Sequence, residues 1–252
     1  MKKHLLLSIL MFFLMASVQF SACSNDDDDD SSNCDVDIAT NTPTNDYEVV
    51  AQVWGGLQGC GIVQIQKNGE EVTDAIVKIN GYELPYDESM GYVASLAASD
   101  GSEMELEVTH NGSVISSGKT CIPSNPTITN IDSGDVHQLS SSLTVQWQSV
   151  DYATAIELSV QENVNYQDYN SGLLDPTTTS HTIPATFFDL SSQWVDSAEC
   201  MITVSAYYGI DPSMESTVLD SSSGVGVNIE GSSGAFIGLN MDETTIYVPL
   251  GD

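Results

Sequence analysis

The chain has 252 residues, 36 acidic side chains against 5 basic ones and a formal net charge of −31, with a 41% apolar fraction that suffices to build a core. No arginine occurs, and two of the lysines, Lys2 and Lys3, lie at the very start. A surface this negative repels phosphate backbones, which excludes nucleic acids and polyphosphates as partners. The lack of arginine also removes the bidentate fork that grips carboxylates and phosphates.

Lys2, Lys3 and His4 precede an apolar run over residues 5–18, followed by small residues that end in Ala22-Cys23. The 14 residues of that run would rise about 21 Å as a helix, short of the roughly 30 Å hydrocarbon core, so a signal peptide over residues 1–22 is expected rather than a span. Phe20-Ser21-Ala22-Cys23 resembles a bacterial lipobox, with phenylalanine where leucine is usual. The resemblance implies cleavage before Cys23 and a diacylglyceryl group on its thiol, hence a lipid anchor in a membrane. Asp26, Asp27, Asp28, Asp29 and Asp30 follow at a charge density that cannot collapse, and residues 23–45 are expected to be a disordered acidic tether. An acidic run behind a lipidated cysteine resembles the surface-export signal of Bacteroidota lipoproteins, which implies an outer-membrane location facing the cell exterior. The plainer alternative is a solvated tether with no sorting role.

Beyond residue 45 the apolar pattern takes a period of two. Tyr47, Val49, Ala51 and Val53 alternate with Glu48, Val50, Gln52 and Trp54, and Met104, Leu106 and Val108 alternate with Glu103, Glu105 and Glu107, which predicts half-buried strands. Asn68-Gly69 and Asn111-Gly112 lie between apolar runs and fit tight hairpin turns. A boundary is expected at Cys121-Ile122-Pro123-Ser124-Asn125-Pro126, where two prolines interrupt strand pairing. Downstream, Leu143, Val145 and Trp147, then Ile156, Leu158 and Val160, then Ile202, Val204 and Ala206 form further alternating rows. The expected fold is all-β: two tandem immunoglobulin-like β-sandwich domains, over residues 46–122 and 123–252, behind the disordered tether. The runs 234–239 and 244–250 are expected to add edge strands to the second.

Two family resemblances accompany this pattern. Asn68-Gly69-Glu70-Glu71-Val72-Thr73-Asp74-Ala75-Ile76-Val77-Lys78-Ile79-Asn80, with Gly91-Tyr92, resembles the prealbumin-like carboxypeptidase-regulatory and Cna B-type modules. It implies a small β-sandwich over about residues 60–120; the isopeptide bond of Cna B modules is not carried over, because no acid-paired lysine stands out. Residues from about 124 to 230 resemble a fibronectin type III domain. Leu143-Thr144-Val145-Gln146-Trp147 corresponds to strand B, Ser180-His181-Thr182-Ile183-Pro184-Ala185 to strand E and Ile202-Thr203-Val204-Ser205-Ala206-Tyr207 to strand F. The family's corner tyrosine is replaced by Cys200, so the E to F corner must be held otherwise.

Four cysteines follow Cys23, an even number for an exported chain, and allow three pairings. The expected bridge joins Cys60 to Cys121, with Cys200 a buried thiol and Cys34 either unpaired or competing for Cys60. No C-x-x-C spacing points to redox catalysis or zinc, and no G-x-S-x-G accompanies His110, His137 or His181, which read as surface or edge histidines. With so many acids, carboxylate pairs arise by chance and identify no glycosidase. Calcium is the one cofactor the composition suits, and Asp132 with Asp135 is its candidate pair, although no EF-hand loop pattern is present. Trp147 is expected in the core. Trp194, Tyr166 and Tyr169, with Trp54 at a strand end, are the aromatics placed to face solvent, where flat rings stack on sugars without any basic group.

These readings converge on a non-catalytic, lipid-anchored cell-surface protein with a binding or spacer role. The alternative is a polysaccharide-binding accessory lipoprotein that uses Trp194, Tyr166 and Tyr169; the third is a calcium-dependent adhesion module. Expected partners are the membrane through the anchor and a neutral glycan or another surface protein.

Overall fold

The structure is a computed structural model that describes Cys34, residues 38–56, 59–191 and 195–210, Pro212 and residues 226–250. Residues 1–22, where a signal peptide is expected, Cys23, the Asp26 to Asp30 run and Trp194 lie outside the described residues. Strands follow one another in the order β1 (Thr40–Asn41), β2 (Tyr47–Trp54), β3 (Cys60–Lys67), β4 (Glu70–Glu71), β5 (Ile76–Ile79), β6 (Tyr82–Leu84), β7 (Tyr86–Asp87), β8 (Gly91–Ser95), β9 (Glu103–His110) and β10 (Ser113–Cys121). They continue as β11 (Leu143–Gln146), β12 (Ala155–Glu162), β13 (Asp168–Leu174), β14 (Ser180–Ile183), β15 (Ser197–Tyr208), β16 (Gly226–Val227), β17 (Ile229–Glu230) and β18 (Ser233–Pro249). No α-helix occurs among the described residues, so the chain is all-β as its alternation predicts.

One long sheet, ordered β13-β12-β15-β18-β2-β3-β8-β7, is the common layer. Two smaller sheets, β17-β10-β9-β5-β6 and β11-β14, complete a sandwich at each end of it. In the first sandwich Val49, Val63, Ile65, Tyr92 and Phe236 meet Val77, Ile79, Leu106, Val108 and Ile229. In the second, Leu158, Val160, Cys200, Ile202, Ile246 and Val248 meet Val145, Trp147, Ile183 and Phe188. Each fully buried large apolar side chain contributes about 1.5–3 kcal/mol relative to leaving it exposed.

β18 belongs to both sandwiches. Its residues 233–239 pair in parallel with β2, and 238–249 pair antiparallel with β15. The even-numbered side chains share one face, and along it Phe236 enters the first core while Ile246 and Val248 enter the second. The expected pair of edge strands is therefore a single interior strand. The expected boundary changes with it: residues 226–239 return to the first sandwich, where β17 pairs with β10 and β16 with β18. Glycine permits the return, because a Cβ at Gly234 would overlap the Val49 carbonyl and one at Gly238 the Cys121 carbonyl. At the crossing, the Asn240 amide donates to Pro123 O at 3.2 Å and Asp100 Oδ1 at 3.0 Å, and the Asp242 carboxylate accepts from Ile128 N at 2.7 Å, so the proline-rich connection is pinned to β18.

Residues 38–45, read from composition as disordered tether, form a strap on the first sandwich. β1 pairs with β16; Ala39 and Asn228 bond reciprocally; Thr44 N and Asn45 N donate to Gly231 O at 2.9 and 3.1 Å. Polar composition hid this because the partners are backbone groups nearly 190 residues away. The disulfide also differs from expectation: Cys121 pairs with Cys34 across a Cα separation of 6.0 Å, and Cys60 is a free thiol. Val63 and Ile65 are the core-facing residues of β3, so Cys60, at odds with that parity, projects to the opposite face, away from the sheet that carries Cys121. Cys200 is the buried free thiol expected.

Non-reducing peptide mapping should recover Cys34 joined to Cys121. Closing a loop of separation 87 corresponds to about 4–5 kcal/mol in the chain-entropy relation, so Cys34→Ser should lower the unfolding free energy on that scale. Gly238→Ala should destabilise by about 1–3 kcal/mol or more, through overlap with the Cys121 carbonyl; an unchanged denaturation midpoint would contradict the shared-strand packing.

Candidate functional site

Two turn clusters lie at the outer ends of the sandwiches, away from the crossing. At the end of the first, strands from both sheets bring four side chains together. Tyr47 opens β2, Lys67 closes β3, His110 closes β9, and Asp74 lies in the loop before β5. His110 Nε2 is 2.9 Å from Asp74 Oδ1 and Nδ1 is 2.7 Å from the Tyr47 hydroxyl, which also accepts from Lys67 Nζ at 3.2 Å. One consistent proton arrangement has Nε2–H donating to Asp74 and Tyr47 O–H donating to Nδ1, leaving the phenol oxygen to accept from lysine. Every member is then satisfied, and the chain braces one sheet against the other. Shallow open depressions flank the Asn68-Gly69 turn beside it, lined among others by Asp46, Glu48 and Asn68 on one side and by Glu70, Glu71 and Asn111 on the other. Among the described residues, the hydroxyl hydrogen-bonded to the His110 imidazole is the Tyr47 phenol. Residues 47, 67, 74 and 110 share no sequence spacing, so nothing in the linear pattern announces the cluster.

The β12–β13 hairpin closes the far end of the second sandwich, and a buried acid organises it. Ile156, Leu158 and Val160 face the core, and the same parity carries Glu162 inward to complete burial. Its carboxylate accepts from the backbone N–H groups of Val164, of Asn165 at 2.7 and 3.0 Å, and of Gln167 at 3.5 Å. Asn163 exchanges bonds with Glu199, N to O at 3.1 Å and Oδ1 from N at 3.0 Å, and Val164 packs against the core. The turn is thereby fastened beneath Tyr166, which is 83% exposed and sits at φ 54°, in the left-handed region. The signal for Glu162 was present in the sequence as a charged residue on the apolar parity of a strand.

The expected aromatic platform separates in the structure. Tyr169 is half-buried, with its hydroxyl 2.7 Å from His181 Nε2 and its ring 5.9 Å from Phe187, and so braces the open side of the second sandwich. Tyr166 stands outside this packing, and Trp194 lies beyond the described residues. Trp147 is core, its indole N–H donating to Thr178 O at 2.9 Å, and Trp54 packs beside Leu239 and Ile237 on the outer face of the long sheet. Asp132 and Asp135 do come together, but as a turn: Asp135 Oδ2 accepts from Asp132 N at 3.0 Å, and the segment docks on β18 through Tyr247 N donating to Asp135 O at 2.8 Å. Among the described residues no group of three or more His, Cys, Asp or Glu side chains is arranged to hold a metal ion. The pair supplies two carboxylates towards the six to eight oxygens that calcium takes. No helix among the described residues is long and apolar enough to cross a membrane.

No protein-family model and no curated protein matches the chain. Among solved structures it is similar to the fibronectin(III)-like modules of Clostridium thermocellum CbhA, at 10% identity over 84% of this chain and 93% of that one, with a TM-score of 0.28. It is also similar to the IG1 and IG2 domains of DIP-gamma, at 8% identity over 82% and 98%, with a TM-score of 0.20. At these TM-scores nothing passes to this chain, and its own strands define its class.

Replacing Glu162 by alanine would leave several N–H groups without an acceptor, at about 1–3 kcal/mol for each that stays buried. Glu162→Ala should therefore lower stability by a few kcal/mol and release amide protection at Val164 and Asn165, read by hydrogen exchange. Burial, with Glu162 and Glu199 nearby, pushes the Cys200 thiol from its ordinary 9.0 up to about 12. Its folded value is raised, so the contribution to stability is complete below pH 9 and is lost as pH rises towards 12. Cys200→Ala should flatten that alkaline loss in a pH series of unfolding free energies.

Proposed function

We propose that the chain is a lipid-anchored, non-catalytic surface protein whose two sandwiches act as one rigid binding or spacer body. The observation that carries this reading is the shared strand: β18 runs through both cores, and Cys34–Cys121 fastens the incoming chain beside their crossing. A body built this way holds its two end loops at a fixed separation, which suits presentation rather than hinged closure over a substrate. The lipobox resemblance at Phe20-Ser21-Ala22-Cys23 supports a diacylglyceryl anchor on Cys23, and the Asp26 to Asp30 run supports an outer-membrane position facing the exterior. The net charge of −31 turns anionic partners away and leaves neutral or cationic ones.

A second reading, binding of polysaccharide, is favoured by one observation, the 83% exposure of Tyr166 on a fastened turn. The calcium-adhesion reading has no such support: Asp132 and Asp135 form a turn in which one carboxylate oxygen accepts from a backbone N–H.

Labelled palmitate should enter the full chain in a bacterial host that lipidates exported proteins, and Cys23→Ala should abolish both labelling and membrane association. Replacing Asp26, Asp27, Asp28, Asp29 and Asp30 by alanine should leave the denaturation midpoint unchanged while protease accessibility on whole cells falls. Persistent labelling of the Cys23→Ala chain would overturn the anchor, and unchanged accessibility would reduce the acidic run to a tether.

A further inference from the structure

Among the described residues seven non-glycines adopt positive φ: Asn68, Asn80, Asn111, Asn228, Ser140, Tyr152 and Tyr166. Asparagine accepts this backbone region through local hydrogen bonding, and its four instances need no other reason. A tyrosine gains nothing of that kind. Tyr152 is 38% exposed, whereas Tyr166, at 83%, buries little. The strain is nevertheless imposed from beneath, by a fully buried carboxylate that accepts from N–H groups on both sides of the residue. A strained, over-determined position with no packing return is the signature of a group held ready for something outside the fold.

From this geometry we infer that the β12–β13 tip is a preformed contact site for a neutral polyhydroxylated ligand, a glycan chain, with Tyr166 as the stacking surface and Glu162 as its positioning residue. Asn165 and Gln167 flank Tyr166 in sequence and are exposed, and primary amides donate and accept at once, as sugar hydroxyls require. The phenol ring offers a flat face with only two torsions to freeze, and the fastened turn removes most of the ordering cost on binding. No lysine or arginine follows Lys119, so the tip holds no cation for an acidic polymer. The inference rests on the binding reading above and gives it a location; the Cys23 labelling reports the anchor separately, so either can fail alone.

The test uses the full chain in affinity gel electrophoresis through dextran, mannan, xylan and β-glucan, at a salt concentration that screens surface charge. At least one polymer should retard the wild-type protein. Tyr166→Ala should weaken that interaction tenfold or more, Tyr166→Phe should keep most of it, and Tyr82→Ala, an exposed tyrosine on the other sandwich, should leave it unchanged. Tyr166→Gly separates ligand contact from folding. It relieves the backbone, so it should raise the thermal midpoint while losing the interaction as fully as alanine does. Retardation by none of the polymers, equal binding by Tyr166→Ala, or a lowered midpoint for Tyr166→Gly would each overturn the site.

Discussion

β18 cannot shift without disturbing both cores. Its even-numbered face places Phe236 in one sandwich and Ile246 and Val248 in the other, and strands pair with it on both sides. At roughly 3.3 Å per residue the strand is about 50 Å long, far beyond the ordinary 17–20 Å. Two domains joined by a linker would trade stability independently. Here a slip by one residue would turn apolar side chains outward in both cores at once, so register is specified twice over.

The constraint explains where the special residues fall. Gly234 and Gly238 are needed because β18 passes directly against the Val49 and Cys121 carbonyls. Asn240 and Asp242 follow at once, and they bond the connection between the sandwiches where it crosses the strand. The strap over residues 38–45 then secures the segment that feeds β18, since its bonds go to Asn228, Ile229 and Gly231. Cys34–Cys121 closes the same arrangement covalently. Disulfide, strap, glycines and pinned linker thus serve one crossing, and the turns furthest from it are left to carry contacts.

What could be read from the sequence was local. Asn68-Gly69 and Asn111-Gly112 adopt paired positive φ values, 54° with 79° and 52° with 76°, as Asn-Gly hairpin turns do, and Asn80-Gly81, at 48° and 77°, is a third, set inside an apolar run. The rows at 143–147, 156–160 and 202–206 are strands, and Trp147 and Cys200 are core. Alternation reports which face of a strand is buried but not which neighbour it pairs with. For that reason the sequence alone does not place residues 226–239 in the first sandwich or pair Cys121 with Cys34. The tip at Tyr166 is half legible: its aromatic stands out in a polar loop, while the acid beneath it emerges only where Glu162 continues the inward parity of Val160.

The distribution of charge completes the physical picture. Lysines beyond Lys3 occur only in the first sandwich, where Lys119 pairs with Glu103 and with Glu105 at 2.8 Å and Lys67 lies 3.8 Å from Asp46. The second sandwich has no lysine or arginine, and its carboxylates are stabilised by neutral donors. Glu162 takes backbone N–H groups, Asp242 takes Ile128 N, and Glu157 takes the Tyr207 hydroxyl at 2.9 Å and the Asn170 amide at 2.7 Å. The Thr177 hydroxyl and N–H hold the exposed Asp175 carboxyl below its ordinary value. Donors fixed in the backbone are not screened as mobile surface cations are, so these local bonds persist in salt while the long-range repulsion of the acidic surface fades. Acid acts in the opposite sense. The depressed Asp175 carboxyl contributes stability above its unfolded value and loses it as pH falls through the folded one. The turns of the second sandwich are thus shaped by neutral hydrogen-bond donors where those of the first also use ion pairs.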